Sequence, residues 1–410
     1  MSLQVLHVLD HSWPVLDGYS QRSGSIIAAQ HSLGFQPTIV TSPLHNLDDP
    51  EAADTVLDSI RYFRVSSDPG FAARAIRRRW PLLREAAVVQ LLEKRIALLL
   101  RSENFDLVHA HSPALCGLAA LRASRARGVP FVYEVRSFWE DGVAQSPSSL
   151  RYRLGRALET HVLRRAHAVV GISRSILQDL AARGIPEARL FHVPNGVDTL
   201  RFVPRPRDAA LTVKLRLDGT PILGFLGTLF PWEGVAWLVK AAIALHARGV
   251  RFNLIIVGDG AEAEAIRAAI SEGNAADYVS FLGRVPFKDV ERYYSIMDVL
   301  VYPRASLRIT ELVTPLKPLE AMALAKPILG SAVGGIRELI EPGETGMLFE
   351  AGNIEDFCRQ AERLLTDEGL RRDLGERARK EVSEKRNWET LARRYQEIYE
   401  SASRNASISV

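Results

Sequence analysis

The chain has 410 residues, 47% of them apolar and 24% charged, with a formal net charge of +4. Such a length is too great for one ordinary core and suits two domains of roughly 200 residues each, while the composition excludes disordered, collagen-like and fibrous classes. The mild basic bias favours an anionic ligand without indicating nucleic acid, and two cysteines, Cys116 and Cys358 in different halves, argue against a disulfide framework or a zinc cluster.

In chain order, short apolar runs bounded by turn residues alternate with helical-period segments, the pattern of βαβ units and parallel sheets. The opening "MSLQVLHVLDHS" has no basic start, long apolar stretch or small-residue cleavage site, and no run reaches the ~18 apolar residues of a membrane span. The expected location is therefore the cytoplasm. In the first half "LQVLHVL", "PTIVTS", "DLVHAHS", "PFVYEV", "AHAVVGIS" and "RLFHVPNG" read as strands. The turn after the first, "HVLDHSWPVLDGYSQRSGSI", holds Gly18 and Gly24 but no Gly-x-Gly-x-x-Gly, which argues against a nicotinamide cofactor.

Further on, Arg74, Arg77, Arg78, Arg79 and Arg84 stand beside Trp80, Leu82 and Leu83. This basic amphipathic segment suits anionic lipid or is a solvated charged face. "VHAHSPALCG" offers His109 and His111 on one face, two apart. A metal would need a third ligand, and no nearby cluster supplies one, so either residue is a core histidine or a ligand contact. "YEVRSFWEDG" then gathers Arg136, Trp139, Glu140 and Asp141 directly after a strand. An aromatic flanked by acids and an arginine suits a sugar ring or a lipid-linked saccharide phosphate; ion pairing within an exposed loop is the alternative.

The alternation breaks in "NGVDTLRFVPRPRDAALTVKLRLDGTP", where prolines and mixed charge place a join near residues 200 to 215. It restarts with "PILGFLGTL", "FNLIIVGDG", "VSFLGRV", "DVLVYPRA", "KPILGSAVGG" and "TGMLFE". The expected domains are 1–205 and 206–385, each doubly wound and facing the other across a cleft, followed by a terminal segment, 386–410. In that segment Trp388, Leu391, Ala392, Tyr395 and Tyr399 form one apolar helical stripe that can pack on either domain. Ligands of such sheets bind beyond the carboxyl ends of the strands, so strand-to-helix turns hold the candidates.

One such turn is "ELVTPLKPLEAMALAKP". Pro318 fits the first turn of a helix because its missing N–H would be unpaired there, which puts Glu320 in that turn. The N–H groups of Val313, Thr314 and Leu316, in a turn that also holds Pro315, and those of the helix start suit a phosphate oxygen, and a carboxylate beside them can accept two hydroxyl hydrogens. A ribose followed by a diphosphate requires that pairing. The alternative is a glutamate that only stabilises its helix dipole.

The stretch "LKPLEAMALAKPILGSAVGGIRELIEPGETGMLFEAGNIEDF", with "VGDG", "FLGRVPFKDVERYYSIMDVLVYP" and "VPNGVD", resembles the retaining glycosyltransferases of the GT-B fold, in particular the family 4 group. The similarity runs over nearly the whole chain. It implies a nucleoside-diphosphate sugar donor whose ribose rests on Glu320 and whose base rests near Arg284 and Val285. It also implies a glycine-rich loop at Gly18, with Arg22 as an anion contact, and a donor hydroxyl or acceptor at His111. Two departures stand out. The first acid of the family pattern stands eight positions before the second, where this chain has Leu312, and Glu311 is displaced by one. It is either a sugar ligand reached by a small loop rearrangement or a structural carboxylate. The arginine and lysine that follow the first strand of the second domain are replaced by Thr228 and Glu233 in "GTLFPWEG".

Losing a preorganised charge of that kind costs about 2.7–4 kcal/mol of barrier, so other cations are expected to substitute. Arg308 and Lys317 are the expected replacements, with Arg304 as a third donor contact, all within "YPRASLRITELVTPLKP". The acceptor side is assigned to Arg136, Trp139, Glu140, Asp141 and Arg22. The resemblance implies transfer with retention to a saccharide or lipid-linked acceptor, without metal or cofactor. Glu233 and the string around Glu320 are similar to a branch associated with exosortase and extracellular polysaccharide gene clusters. A non-catalytic sugar-nucleotide binder and a sugar-nucleotide epimerase on the same fold are the rival readings.

Overall fold

The computed structural model describes residues 3–15, 17–45, 54–65, 81–143 and 146–408. They form two compact units, one from Met1–Pro194 with Trp388–Val410 and the other from Asn195–Asn387.

In the first unit eight strands lie in the order β3-β4-β2-β1-β5-β6-β7-β8: β1 (Gln4–Leu9), β2 (Gln36–Thr41), β3 (Thr55–Leu57), β4 (Ile60–Arg64), β5 (Leu107–His111), β6 (Phe131–Val135), β7 (Ala168–Gly171) and β8 (Leu190–His192). All neighbours are parallel except β3 and β4. The central strands β5, β6 and β7 are buried at every residue, as strands covered on both faces must be. The stripe on the helix Trp388–Ile408 is buried, and its tyrosines bond to Gln30, His109 and Glu134, so this helix completes the first unit.

The second unit has six parallel strands in the order β11-β10-β9-β12-β13-β14: β9 (Ile222–Leu226), β10 (Asn253–Val257), β11 (Val279–Phe281), β12 (Val299–Tyr302), β13 (Ile328–Ser331) and β14 (Met347–Phe349). The expected join at 205/206 moves upstream to 194/195. Val197 and Phe202 lie in the core of the second unit, and the Val197 N–H donates to the Arg386 carbonyl, so the proline-rich segment is part of that unit's packing.

In each sheet the chain winds outward in one direction and then returns to wind the other way. The reversal falls between β1 and β5 in the first unit and between β9 and β12 in the second. A crevice for ligand opens beyond the carboxyl ends of the strands at such a point.

Candidate functional site

At the reversal in the second unit the chain leaves β9 through Gly227 and Thr228. A Cβ at Gly227 would lie 3.3 Å from Lys317 Cδ, so the lysine stem crosses this glycine. Gly258, leaving β10 at φ 148°, packs so tightly that a Cβ there would fall 1.8 Å from the Gly227 carbonyl oxygen. The floor of the crevice is thus backbone, and Lys317 lies over it. Lys317 opens the short helix Lys317–Ala323, one residue earlier than its proline suggests, and Glu320 stands in its first turn. Glu320 is 4% exposed. Its Oε2 accepts from the Tyr294 hydroxyl at 3.0 Å and lies 3.9 Å from Lys317 Nζ, whose side chain is 39% exposed. Burial, and then the Glu320 charge, push the Tyr294 phenol well up, so it remains a donor. The Tyr302 hydroxyl donates to the Lys317 carbonyl at 3.0 Å and fixes the start of the helix.

The neighbouring groups are taken by one another. Arg304, buried at the end of β12, pairs with Glu233 through Nη2 at 3.2 Å and donates to the Val313 carbonyl at 2.9 Å. Glu311 accepts the Gly334 N–H at 2.6 Å and the Ser306 hydroxyl at 2.8 Å, which caps the turn Gly334–Arg337. Thr314 is buried, and its carbonyl and hydroxyl both face the Asn195 amide, at 2.6 and 3.2 Å. Pro315 and Leu316 are half-buried beside it, and Arg308 is exposed at the start of Arg308–Leu312. After β11, Arg284 is exposed and Val285 is half-buried against the core. The Gly258 N–H donates to the Gly283 carbonyl at 2.9 Å, which ties that turn to the exit of β10.

At the reversal in the first unit, the residue after β1 is Asp10 and the next is His11. His11 bridges two carboxylates, with Nδ1 3.0 Å from Asp10 and Nε2 2.7 Å from Asp17. Burial alone would lower its pKa; the hydrogen bonds and charges of Asp10 and Asp17 reverse that and raise it to about 9. Asp17 also caps the helix Gly18–Ser32 by accepting the Ser20 N–H at 2.8 Å, so the imidazolium pins the loop to the helix that begins at the exposed Gly18.

Beneath that loop lies a buried polar network around Glu134 on β6. Its carboxylate accepts from Arg22 Nε at 3.0 Å, from Arg136 Nε at 2.9 Å and from the Tyr395 hydroxyl. Burial would raise its pKa, but the charges of Arg22 and Arg136 hold it well below the usual carboxylate range. Arg22 also reaches the carbonyls of Val193 and Pro194, and Arg136 the Tyr19 carbonyl, Ser23 and His111 Nδ1.

Two family models cover most of the chain, "Glycosyltransferase Family 4" over residues 18–201 and "Glycosyl transferases group 1" over 208–381. A GDP-mannose-dependent alpha-mannosyltransferase of Mycolicibacterium smegmatis is 31% identical over 360 residues, 86% of each chain. The chain belongs to the glycosyltransferases. Among solved structures, sucrose-phosphate synthase from Thermosynechococcus elongatus matches with a TM-score of 0.77 at 21% identity, covering 97% of this chain and 98% of that one. Anabaena HepE in complex with UDP matches at 0.74 and 17%, covering 97% and 100%. The two Rossmann-like units are those of the GT-B architecture.

In this glycosyltransferase several expected ligand contacts are corrected by burial. Arg22, Arg136 and His111 are members of the Glu134 network, and their donors and acceptors are engaged within it. Glu140 is fully buried against Arg183 at 2.6 Å, so it is a core ion pair rather than a loop acid. Trp139 is half-buried against Gly155, and Asp141 is half-buried in the same short helix, Trp139–Val143. Arg304 is neutralised by Glu233, and Glu311 is the structural carboxylate of its two alternatives. The basic segment 74–80 lies outside the described residues.

The expectation that His109 and His111 lack a third partner is also corrected. His7 on β1 is in register with His109, and the three rings bring one nitrogen each within 4.8 Å of one another. The donor set nevertheless does not fit a cation. Arg136 can only donate, so His111 Nδ1 accepts from it at 2.7 Å and the ring proton sits on Nε2, aimed at His7 Nδ1 at 3.1 Å. Burial lowers the pKa of all three rings, and the charges of Arg136 and of the neighbouring histidines lower them further, so the cluster is neutral. Sequence reasoning missed His7, His11 with Asp10 and Asp17, Tyr294 and Asn195. The one local signal was the pair of aspartates around His11 in "LDHSWPVLDG".

Proposed function

We propose that this glycosyltransferase moves a sugar from a nucleoside-diphosphate donor to a hydroxyl acceptor with retention at the anomeric carbon, and that Glu320 and Lys317 grip the donor. The single observation that carries this is the placement of Lys317 across Gly227 at the reversal of the second sheet, 3.9 Å from a buried carboxylate. Glu320 is the proposed acceptor of the ribose hydroxyls, held in place by the Tyr294 hydroxyl. Lys317 is the replacement cation at the position where Thr228 and Glu233 supply none, and it opposes the negative charge that grows on the departing diphosphate. Arg308 is its proposed second. The turn at Arg284 and Val285 is the proposed base contact, with Thr314, Pro315 and Leu316 at the phosphates and Gly18 at the loop of the first unit.

No protein nucleophile is needed in this reading, because an oxygen of the leaving diphosphate accepts the proton of the attacking hydroxyl. Rate comes from orientation and from the fixed cation. Neither metal nor cofactor is required. The proposed acceptor is a saccharide or lipid-linked saccharide in extracellular polysaccharide assembly, on the cytoplasmic side of the membrane. GDP-mannose is the first donor to try, since the named mycobacterial relative uses it.

A second reading, a sugar-nucleotide binder without turnover, is favoured by one observation, the Glu233–Arg304 pair that cancels a buried charge beside the site. Thermal shift with a panel of nucleotides and nucleotide sugars, followed by transfer and hydrolysis assays with the best donor, separates the two. The enzyme is expected to show a shift and turnover, both lost in Glu320→Ala at unchanged fold. Tight binding without transfer or hydrolysis for any acceptor supports the binder, and an unchanged shift in Glu320→Ala removes Glu320 from the ribose.

A further inference from the structure

The helix Leu150–Arg165 has an outer face that no role above uses. Its inner side, Tyr152, Gly155, Glu159, Val162 and Leu163, is buried. Glu159 is the only acid of this helix and is held inside by the Tyr133 hydroxyl at 2.5 Å. What faces outward is therefore Arg153, Arg156, Arg164 and Arg165, with no carboxylate from the same helix among them. No ion pair to these four is found among the described residues. A furrow runs along them. At the amino end of the same face stand two leucines, Leu150 at 70% and Leu154 at 54% exposure.

Two observations extend the patch. His161, exposed on the same face, lies close enough to Arg165 and to Arg122 of the adjoining helix that, after slight burial, their charges lower its pKa. Arg151 reaches back to Glu85 at 2.5 Å on the helix Pro81–Ser102, whose first turn exposes Leu82 and Leu83.

We propose that the outer face of Leu150–Arg165 docks on an anionic phospholipid bilayer surface. Soluble surfaces ordinarily intersperse both signs of charge, whereas one-sign arginines beside exposed leucines match a surface that offers phosphate headgroups with hydrocarbon just beneath them. The arginines neutralise the headgroups, and the leucines at the helix start enter the acyl boundary. An acidic protein surface or a soluble polyanion answers the arginines alone and leaves the leucines without a role. Among the described residues no helix is long and apolar enough to cross a membrane, so the attachment is peripheral. It does not depend on the donor-site reading, since no residue of this face is in that site.

The test is sedimentation of the full chain with vesicles of phosphatidylcholine alone and of phosphatidylcholine with phosphatidylglycerol. The chain is expected to pellet with the anionic vesicles only. Arg153→Gln with Arg156→Gln should weaken partitioning about 30-fold, at about 1 kcal/mol for each arginine lost from the surface and tenfold per 1.4 kcal/mol. Leu150→Ser with Leu154→Ser should weaken it as well, and both variants should keep the wild-type melting temperature. Equal pelleting with both vesicle types, no pelleting with either, or undiminished binding in both double variants would overturn the proposal. So would loss in the arginine variant alone with none in the leucine variant, which is the behaviour of a polyanion site.

Discussion

The first sheet reverses between β1 and β5, the second between β9 and β12, and the two places handle charge in opposite ways. In the first, Arg22, Arg136, Glu134, His7, His109 and His111 are buried and satisfy one another, with the His11 bridge above them. In the second, one buried carboxylate, Glu320, stands beside a lysine that keeps more than a third of its side chain in solvent. The first arrangement makes a rigid base on which a loop is fastened. The second leaves one cation, Lys317, partly in solvent beside a buried acid.

Removing the hub of the first arrangement gives the largest expected effect. Glu134→Ala leaves two buried guanidinium groups without their carboxylate, and a loss of about 3–5 kcal/mol of stability is expected, measured by urea unfolding. A loss below 1 kcal/mol would show that the network does not hold the first unit together. In the second arrangement Lys317→Ala should slow transfer by about 2.7–4 kcal/mol of barrier while the melting temperature stays that of wild type. Equal turnover in this variant would assign the diphosphate to another cation.

The histidines sharpen the contrast further. Burial, then Arg136, hold His111 at a pKa of about 3, below its ordinary 6.5. The unfolded chain therefore binds the extra proton first, and stability falls as pH drops from 6.5 toward 3. Between pH 6.5 and 5 this one ring accounts for about 1.6 kcal/mol, and His111→Asn should make that part of the profile shallower by that amount, with the contributions of His7 and His109, which have the same sign, remaining. His11 runs the other way and is the smallest effect. Its pKa is raised to about 9, so the contribution of its bridge is complete below pH 6.5 and disappears as pH rises through 9. Proteolysis near residue 13 should accelerate above pH 9 in wild type and show no such rise in His11→Gln.

The six strands of the second sheet were legible because parallel, doubly covered strands are continuous apolar runs. The β3–β4 hairpin was not. β3 has three largely exposed residues, and its turn at Asp58 and Ser59, with φ of 49° and 66°, lacks the Asn-Gly or Asp-Gly signature of such turns. Lys317 and Glu320 were legible because they share one helical turn. The Glu134 network was not, since it joins groups from β1, β5, β6, the helix Gly18–Ser32 and the helix Trp388–Ile408, and no spacing in the chain encodes that meeting. The fate of Arg304 lay in between. The acid at Glu233 was visible as a departure, but only the fold shows that its counter-charge is Arg304.

The central claim, that Glu320 takes the ribose and Lys317 the diphosphate, is tested most directly by calorimetric titration of a nucleoside and its diphosphate into wild type, Glu320→Ala and Lys317→Ala. The expected result is loss of both ligands in Glu320→Ala, and loss of the diphosphate's advantage over the nucleoside in Lys317→Ala. Diphosphate binding that is undiminished in both variants would contradict it.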